Sequence, residues 1–127
     1  MPKHLKEQRP EPTRAEAEQA LMSALSLCRK AGKLVLGYDA AVEAVLAGKS
    51  HHVFYAADAS QSTVERVSFE IDGLAGAKKL PLTQQQMLDI TRKSVAIYAV
   101  TDINLARLCE AKRKQCEDLI SKEEVSE

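Results

Sequence analysis

Residues 29–50 read Arg29-Lys30-Ala31-Gly32-Lys33-Leu34-Val35-Leu36-Gly37-Tyr38-Asp39-Ala40-Ala41-Val42-Glu43-Ala44-Val45-Leu46-Ala47-Gly48-Lys49-Ser50. Gly32 is suited to the left-handed position that ends a helix. Leu34-Val35-Leu36 is a short strand running into Gly37. From Tyr38 the apolar residues Ala41, Val42, Val45 and Leu46 recur at helical period, and Gly48 closes the run. His52 to Ala57 is β-rich and reads as a central strand. The stretch therefore passes from helix to strand, to helix, to strand within about thirty residues, the alternation of an α/β domain.

The same pattern continues in both directions. Upstream, Thr13-Arg14-Ala15-Glu16 has capping-box form, a hydroxyl followed three residues later by a carboxylate. The helix it opens carries Leu21, Ala24, Leu25 and Cys28 on one stripe. Downstream, residues 59–73 read as a polar helix ending near Gly73. Lys79-Leu80-Pro81-Leu82 reads as a short strand at an edge, because proline cannot donate to a ladder. Thr83 opens a short helix to about Ile90, and Val95 to Val100 is the most apolar strand. Asp102 caps a last helix whose apolar face uses Leu105, Leu108, Cys109, Cys116 and Leu119. The expected architecture is a single-domain three-layer α/β/α sandwich with a small mixed sheet. It spans residues 13–121, between a disordered mixed-charge tail (1–12) and an acidic frayed end (122–127).

Composition sets limits on function. The chain has 127 residues, 45% of them hydrophobic and 28% charged, enough for one modest core. No apolar run approaches the roughly 18 residues of a membrane span, and the N-terminal stretch has no apolar signal core. Lysine plus arginine equals aspartate plus glutamate at 18 each, so no global basic field draws polyanions; any nucleic-acid site must be a local patch. Three cysteines without CxxC spacing argue against a disulfide framework or zinc knuckle, and fit a reducing cytoplasm. Cys109 and Cys116 share a helical face but lie too far apart along it to pair.

Four short stretches in order resemble one family. They are Arg29-Lys30-Ala31-Gly32-Lys33 before the strand ending at Gly37, Ala47-Gly48-Lys49 before the next strand, Ala57-Asp58-Ala59-Ser60 after it, and Ala99-Val100-Thr101-Asp102 closing the last strand. Together, over about residues 18–110, they resemble the kink-turn-binding ribosomal-protein superfamily of L7Ae and L30e, in its bacterial YlxQ-type branch. The resemblance implies an L30e-like fold and a non-catalytic protein whose partner is structured RNA, ribosomal or ribosome-associated. It also places the working surface at the start of the helix opening at Gly37, with a second loop, here 90–95, closing over a flipped-out nucleotide. Glycine lets the backbone approach the RNA, while free N–H groups and the helix dipole attract phosphate. RNA of this kind is read by shape and splayed bases, so a small surface suffices at zero net charge.

The residues the resemblance assigns to that surface are Lys33, Gly37, Tyr38, Asp39, Ala40, Arg92 and Lys93. Three positions depart from the family pattern. RNA-binding relatives carry Asn-Glu two and three residues after the glycine and lysine six after it, where this chain has Asp39, Ala40 and Glu43. Asp39 accepts hydrogen bonds but does not donate as asparagine does. Its helix-dipole role outweighs base recognition. Glu43 repels a phosphate that lysine would attract. For Tyr38 two readings stand level: stacking on an unstacked base, or packing over the helix start. Arg92 and Lys93 fall in the closing loop, Lys33 is expected to join them in one basic cluster, and Arg29, Lys30 and Lys49 are further candidates. These departures also raise a second reading, a protein-interaction module on the same scaffold.

Other chemistry finds little support. Neighbouring His51 and His52 point to opposite faces of a strand and do not share a metal ion easily. Gly48-Lys49-Ser50 imitates the end of a P-loop but precedes a strand rather than a helix. Asp58, Ser60 and Asp102 read as helix caps. No enzyme, metal or cofactor is expected.

Overall fold

The computed structural model describes residues 12–125; the expected N-terminal tail lies almost wholly outside them. Helix α1 (Arg14–Lys30) starts on the expected capping box, with Thr13 Oγ1 accepting from Glu16 N at 3.1 Å and Glu16 Oε1 accepting from Thr13 N at 2.9 Å. Then follow β1 (Leu34–Leu36), α2 (Tyr38–Leu46), β2 (His52–Tyr55), α3 (Gln61–Glu70), β3 (Gly76–Lys79), α4 (Gln84–Thr91), β4 (Ile97–Val100) and α5 (Ile103–Val125). A second capping box, Thr83 with Gln86, opens α4. Asp102 Oδ1 accepts from Leu105 N at 3.0 Å at the start of α5. Among the described residues no helix is long and apolar enough to cross a membrane.

The sheet is mixed, in the order β1-β4-β2-β3. β4 runs antiparallel to both β1 and β2, and β2 runs parallel to β3. The register fixes two ends. Leu34, Val100, His52 and Gly76 lie at one; Leu36, Tyr98–Ile97, Tyr55 and Lys79 lie at the other.

Strand alternation divides the core between two faces. Phe54, Tyr98 and Val100 pack with Leu21, Leu25, Leu80, Leu82 and Met87 under α1, α4 and α5. Val53, Ile97 and Ala99 pack with Ala41, Val42, Val45, Val67 and Ile71 under α2 and α3. The result is the expected three-layer sandwich, with the larger side chains on the α1/α4/α5 side.

Three details differ from the sequence reading. The strand expected at 79–82 begins at Gly76. Its first residues, Gly-Ala-Lys-Lys, form an exposed edge with no apolar run to announce it. Leu80 and Leu82 still bond to the end of β2, through Leu80 N to Tyr55 O and Ala57 N to Leu82 O, both 2.8 Å, and bury their side chains. Leu108 is exposed, unlike the rest of its expected stripe. It sits about 100° around α5 from Cys109, outside the buried arc. Finally, α5 stays helical through Val125, beyond the point expected to fray.

The three cysteines are free and buried. Cys28 of α1 and Cys109 of α5 place their sulfurs 3.4 Å apart, a contact across 81 residues that spacing did not reveal. The neighbouring Cys28 thiol, with burial adding to it, pushes Cys109 well above the usual thiol range.

Candidate nucleic-acid interface

Gly37 sits where β1 becomes α2, at φ 99° and ψ 159°. That backbone region is essentially reserved for glycine. No atom lies within 4 Å of where a Cβ would stand, so conformation alone requires glycine here. Its N–H donates to Ile97 O at 2.8 Å, and its carbonyl accepts the first bond of α2, from Ala41 N at 3.0 Å. The N–H groups of Tyr38, Asp39 and Ala40 precede that first bond, and no side chain caps them.

The bond from Gly37 to Ile97 sets the start of α2 against the start of β4, the strand fed by the 90–95 loop. That loop is tied down by residues the sequence reading did not single out. The Thr91 hydroxyl is buried, 2.7 Å from Lys93 O and 3.1 Å from Met87 O. Tyr98 donates its hydroxyl to Val95 O at 2.6 Å, and burial lifts its pKa to about 12. The only signal for these roles was polar atoms in apolar surroundings: a buried hydroxyl must find a partner. Arg92 takes φ 65° as the C-cap of α4, the only non-glycine residue among those described with positive φ. Both Arg92 and Lys93 are exposed.

Tyr38 packs. Its half-buried ring joins the α2/α3 core, and the Arg66 guanidinium lies over it, 4.9 Å from the ring centroid. The hydroxyl is covered and makes no hydrogen bond; burial, with the Glu70 carboxylate beside it, raises its pKa. One ring face is thus already occupied by a cation. Asp39, Ala40 and Glu43 are all exposed. Asp58 caps α4 rather than α3, accepting from Gln84 N at 3.0 Å, while Ser60 caps α3.

The expected basic cluster does not form as a unit. Lys33 lies at the opposite end of β1, its carbonyl accepting from Thr101 N at 2.9 Å. Four extended steps of about 3.3 Å each separate it from Gly37 by roughly 13 Å. The three strand residues between them in the sequence already carried that signal. Lys49 falls at the Lys33 end too, lining a recess with His51, His52 and Thr101. Arg29 and Lys30, in the last turn of α1, belong with them. His52 is half-buried, and burial lowers its pKa. Among the described residues no three His, Cys, Asp or Glu side chains gather as a metal site would require.

The fold has counterparts among solved structures. A protein with unknown function from Bacillus halodurans C is similar over 74% of this chain and 96% of its own, with TM-score 0.67 and 22% identity. A Giardia lamblia 15.5kD RNA binding protein is similar over 82% of this chain and 90% of its own, with TM-score 0.63 and 15% identity. At such identities the likeness is one of fold. No curated protein matches the sequence. The sequence pattern of one family, however, covers residues 19–127, from the first turns of α1 onward. This chain belongs to the Ribosomal protein L7Ae/L30e/S12e/Gadd45 family.

Proposed function

We propose that this chain is a non-catalytic, ribosomal-protein-like domain that binds structured RNA through the N-terminus of α2 and the 90–95 loop. The observation that carries the reading is the Gly37 N–H to Ile97 O bond, which joins the helix start and the loop-fed strand into one surface. Gly37 supplies close backbone approach, and the N–H groups of Tyr38, Asp39 and Ala40 face phosphate. Arg92 and Lys93 provide the cations. Family membership supports the reading, as does the fold shared with an RNA binding protein. Tyr38 contributes by packing beneath Arg66 rather than by offering a free ring.

A calorimetric titration against a kink-turn RNA tests this. Binding at low salt that weakens as salt rises is expected, since phosphate contacts release counterions. Asp39 and Ala40 do not present the asparagine and glutamate of kink-turn readers, so a structured ribosomal RNA fragment is titrated beside the kink-turn. Binding of neither RNA at low salt would contradict the reading.

A second reading, a protein-interaction module, is favoured by one observation: Asp39 and Glu43 expose carboxylates on the first turns of α2. Pull-down from ribonuclease-treated lysate separates the two. Partners that survive ribonuclease support the module, and partners that vanish with it support RNA binding.

A further inference from the structure

The cations expected beside Gly37 gather instead at the far end of the sheet. Arg29 and Lys30 close α1, Lys33 enters β1, Lys49 precedes β2, and Arg107 lies one turn into α5. All five are exposed, and among the described residues none is in an ion pair. Ile103 of α5 lines the recess with His52, and Arg107 follows it one turn later on the same helical face. The carboxylates of this end are fewer and partly engaged. Asp102 caps α5, and Glu110 is held by Arg113 at 2.8 and 2.9 Å. Glu43 lies near Lys49 in a shallow groove, and Asp72 follows α3. A chain of zero net charge has therefore separated its charge, leaving an excess of cations here.

The turn that presents Lys49 is rigidly built. Gly48 takes φ 75°. Ser50 is buried, donating its hydroxyl to Val100 O at 2.8 Å and accepting from His52 N at 3.3 Å, which staples the start of β2 to the end of β4. Gly48, Lys49, His51, His52, Thr101 and Ile103 then surround a cavity of about 240 Å³. The Gly-Lys-Ser run that imitated a P-loop thus fixes a lysine at the rim of a recess, at the end of the sheet where Lys33 enters β1.

We propose that this end is a second RNA-backbone face, with Lys33, Lys49 and Arg107 contacting phosphates of an RNA segment other than the one at Gly37. The inference rests on RNA being the partner, as proposed above. Exposed cations on three elements at one end of the sheet, one of them at the rim of a recess, suit a phosphodiester backbone, and with two faces the chain holds two arms of one folded RNA together.

The test measures binding of a kink-turn RNA with long duplex arms, over a series of salt concentrations, for the full chain and two double variants. These are Lys33→Gln with Lys49→Gln, and Arg92→Gln with Lys93→Gln. All four side chains are exposed, and thermal melts check that each variant folds. Loss of two phosphate contacts flattens the slope of log affinity against log salt by about 1.4–1.8. The Lys33/Lys49 variant is expected to show that flattening with about tenfold or greater weakening at low salt, and to show less weakening on an RNA lacking the long arms. An unchanged slope and affinity in this variant, with the Arg92/Lys93 variant impaired, would overturn the second face and leave the Gly37 reading intact. Impairment of the Lys33/Lys49 variant alone would uphold this face and remove the Gly37 reading. A wild-type chain that binds no RNA overturns both.

Discussion

Gly37, where β1 runs into α2, takes φ 99°, and Arg92, in the loop that feeds the strand Gly37 bonds to, takes φ 65°. At the opposite end, among the described residues, positive φ is confined to glycines: Gly32 and Gly48, which follow the C-caps of α1 and α2 in the usual way, and Gly73 in the turn after α3. Charge is distributed the other way round. The Gly37 end has exposed Arg92 and Lys93 together with exposed Asp39, and its Arg66 is already committed to the Tyr38 ring. The Lys33 end carries five exposed cations. One end of the sheet is specialised through backbone geometry and the other through electrostatics. Their sum, a formal charge of zero, hides both.

If the geometry at Gly37 is what shapes that end, Gly37→Ala should be the most damaging change of those considered. Forcing a side chain into this region costs about 1–3 kcal/mol, readable by urea denaturation. RNA affinity should fall as well under conditions where the variant is folded. An unchanged midpoint would show that α2 can start without this conformation.

At the other end, Ser50→Ala probes whether the lysine turn is rigid by design. It removes the hydroxyl's bonds to Val100 O and from His52 N, at about 0.5–1.5 kcal/mol for a hydrogen bond of this kind. Amide exchange should quicken at Lys49–His52 and not at Arg92–Ala96. Equal loosening at both ends would erase the distinction between them.

Arg92→Gly should act in the opposite sense. Glycine relieves the left-handed strain, so the fold should gain about 0.5–1 kcal/mol while RNA affinity drops. A gain in stability with no loss of affinity would remove Arg92 from the interface.

The smallest effect is the pH response of His52. Its folded pKa lies below the ordinary value of 6.5, chiefly through burial. The unfolded chain therefore takes up the proton first. Stability is full above about pH 6.5 and falls as pH drops through the folded pKa. Comparing His52→Gln with wild type between pH 7.5 and 5 should isolate that slope, which the variant lacks.

Much of the frame was legible in the residues themselves. Capping pairs such as Thr13 with Glu16 and Thr83 with Gln86, and the glycines at 32, 37 and 48, encode local geometry that the neighbouring chain alone decides. β4 was legible because its four residues are apolar and buried on both faces. β3 was not, because an edge strand reading Gly-Ala-Lys-Lys carries no hydrophobic pattern. What escaped most at the site was long-range. Arg66 reaches Tyr38 from another helix, Tyr98 holds the loop from the strand below, and Cys28 meets Cys109 across the α1/α5 layer. Lys33 was misplaced for a simpler reason: nearness in sequence was read as nearness in space, although a strand separates its residues faster than any other element.

The central claim is that RNA lies across the start of α2 and the loop before β4. Backbone amide NMR shifts during titration with a kink-turn RNA at low salt test it most directly. The largest movements are expected at Tyr38, Asp39, Ala40 and Arg92 to Ala96. RNA binding that leaves those amides unmoved would contradict it.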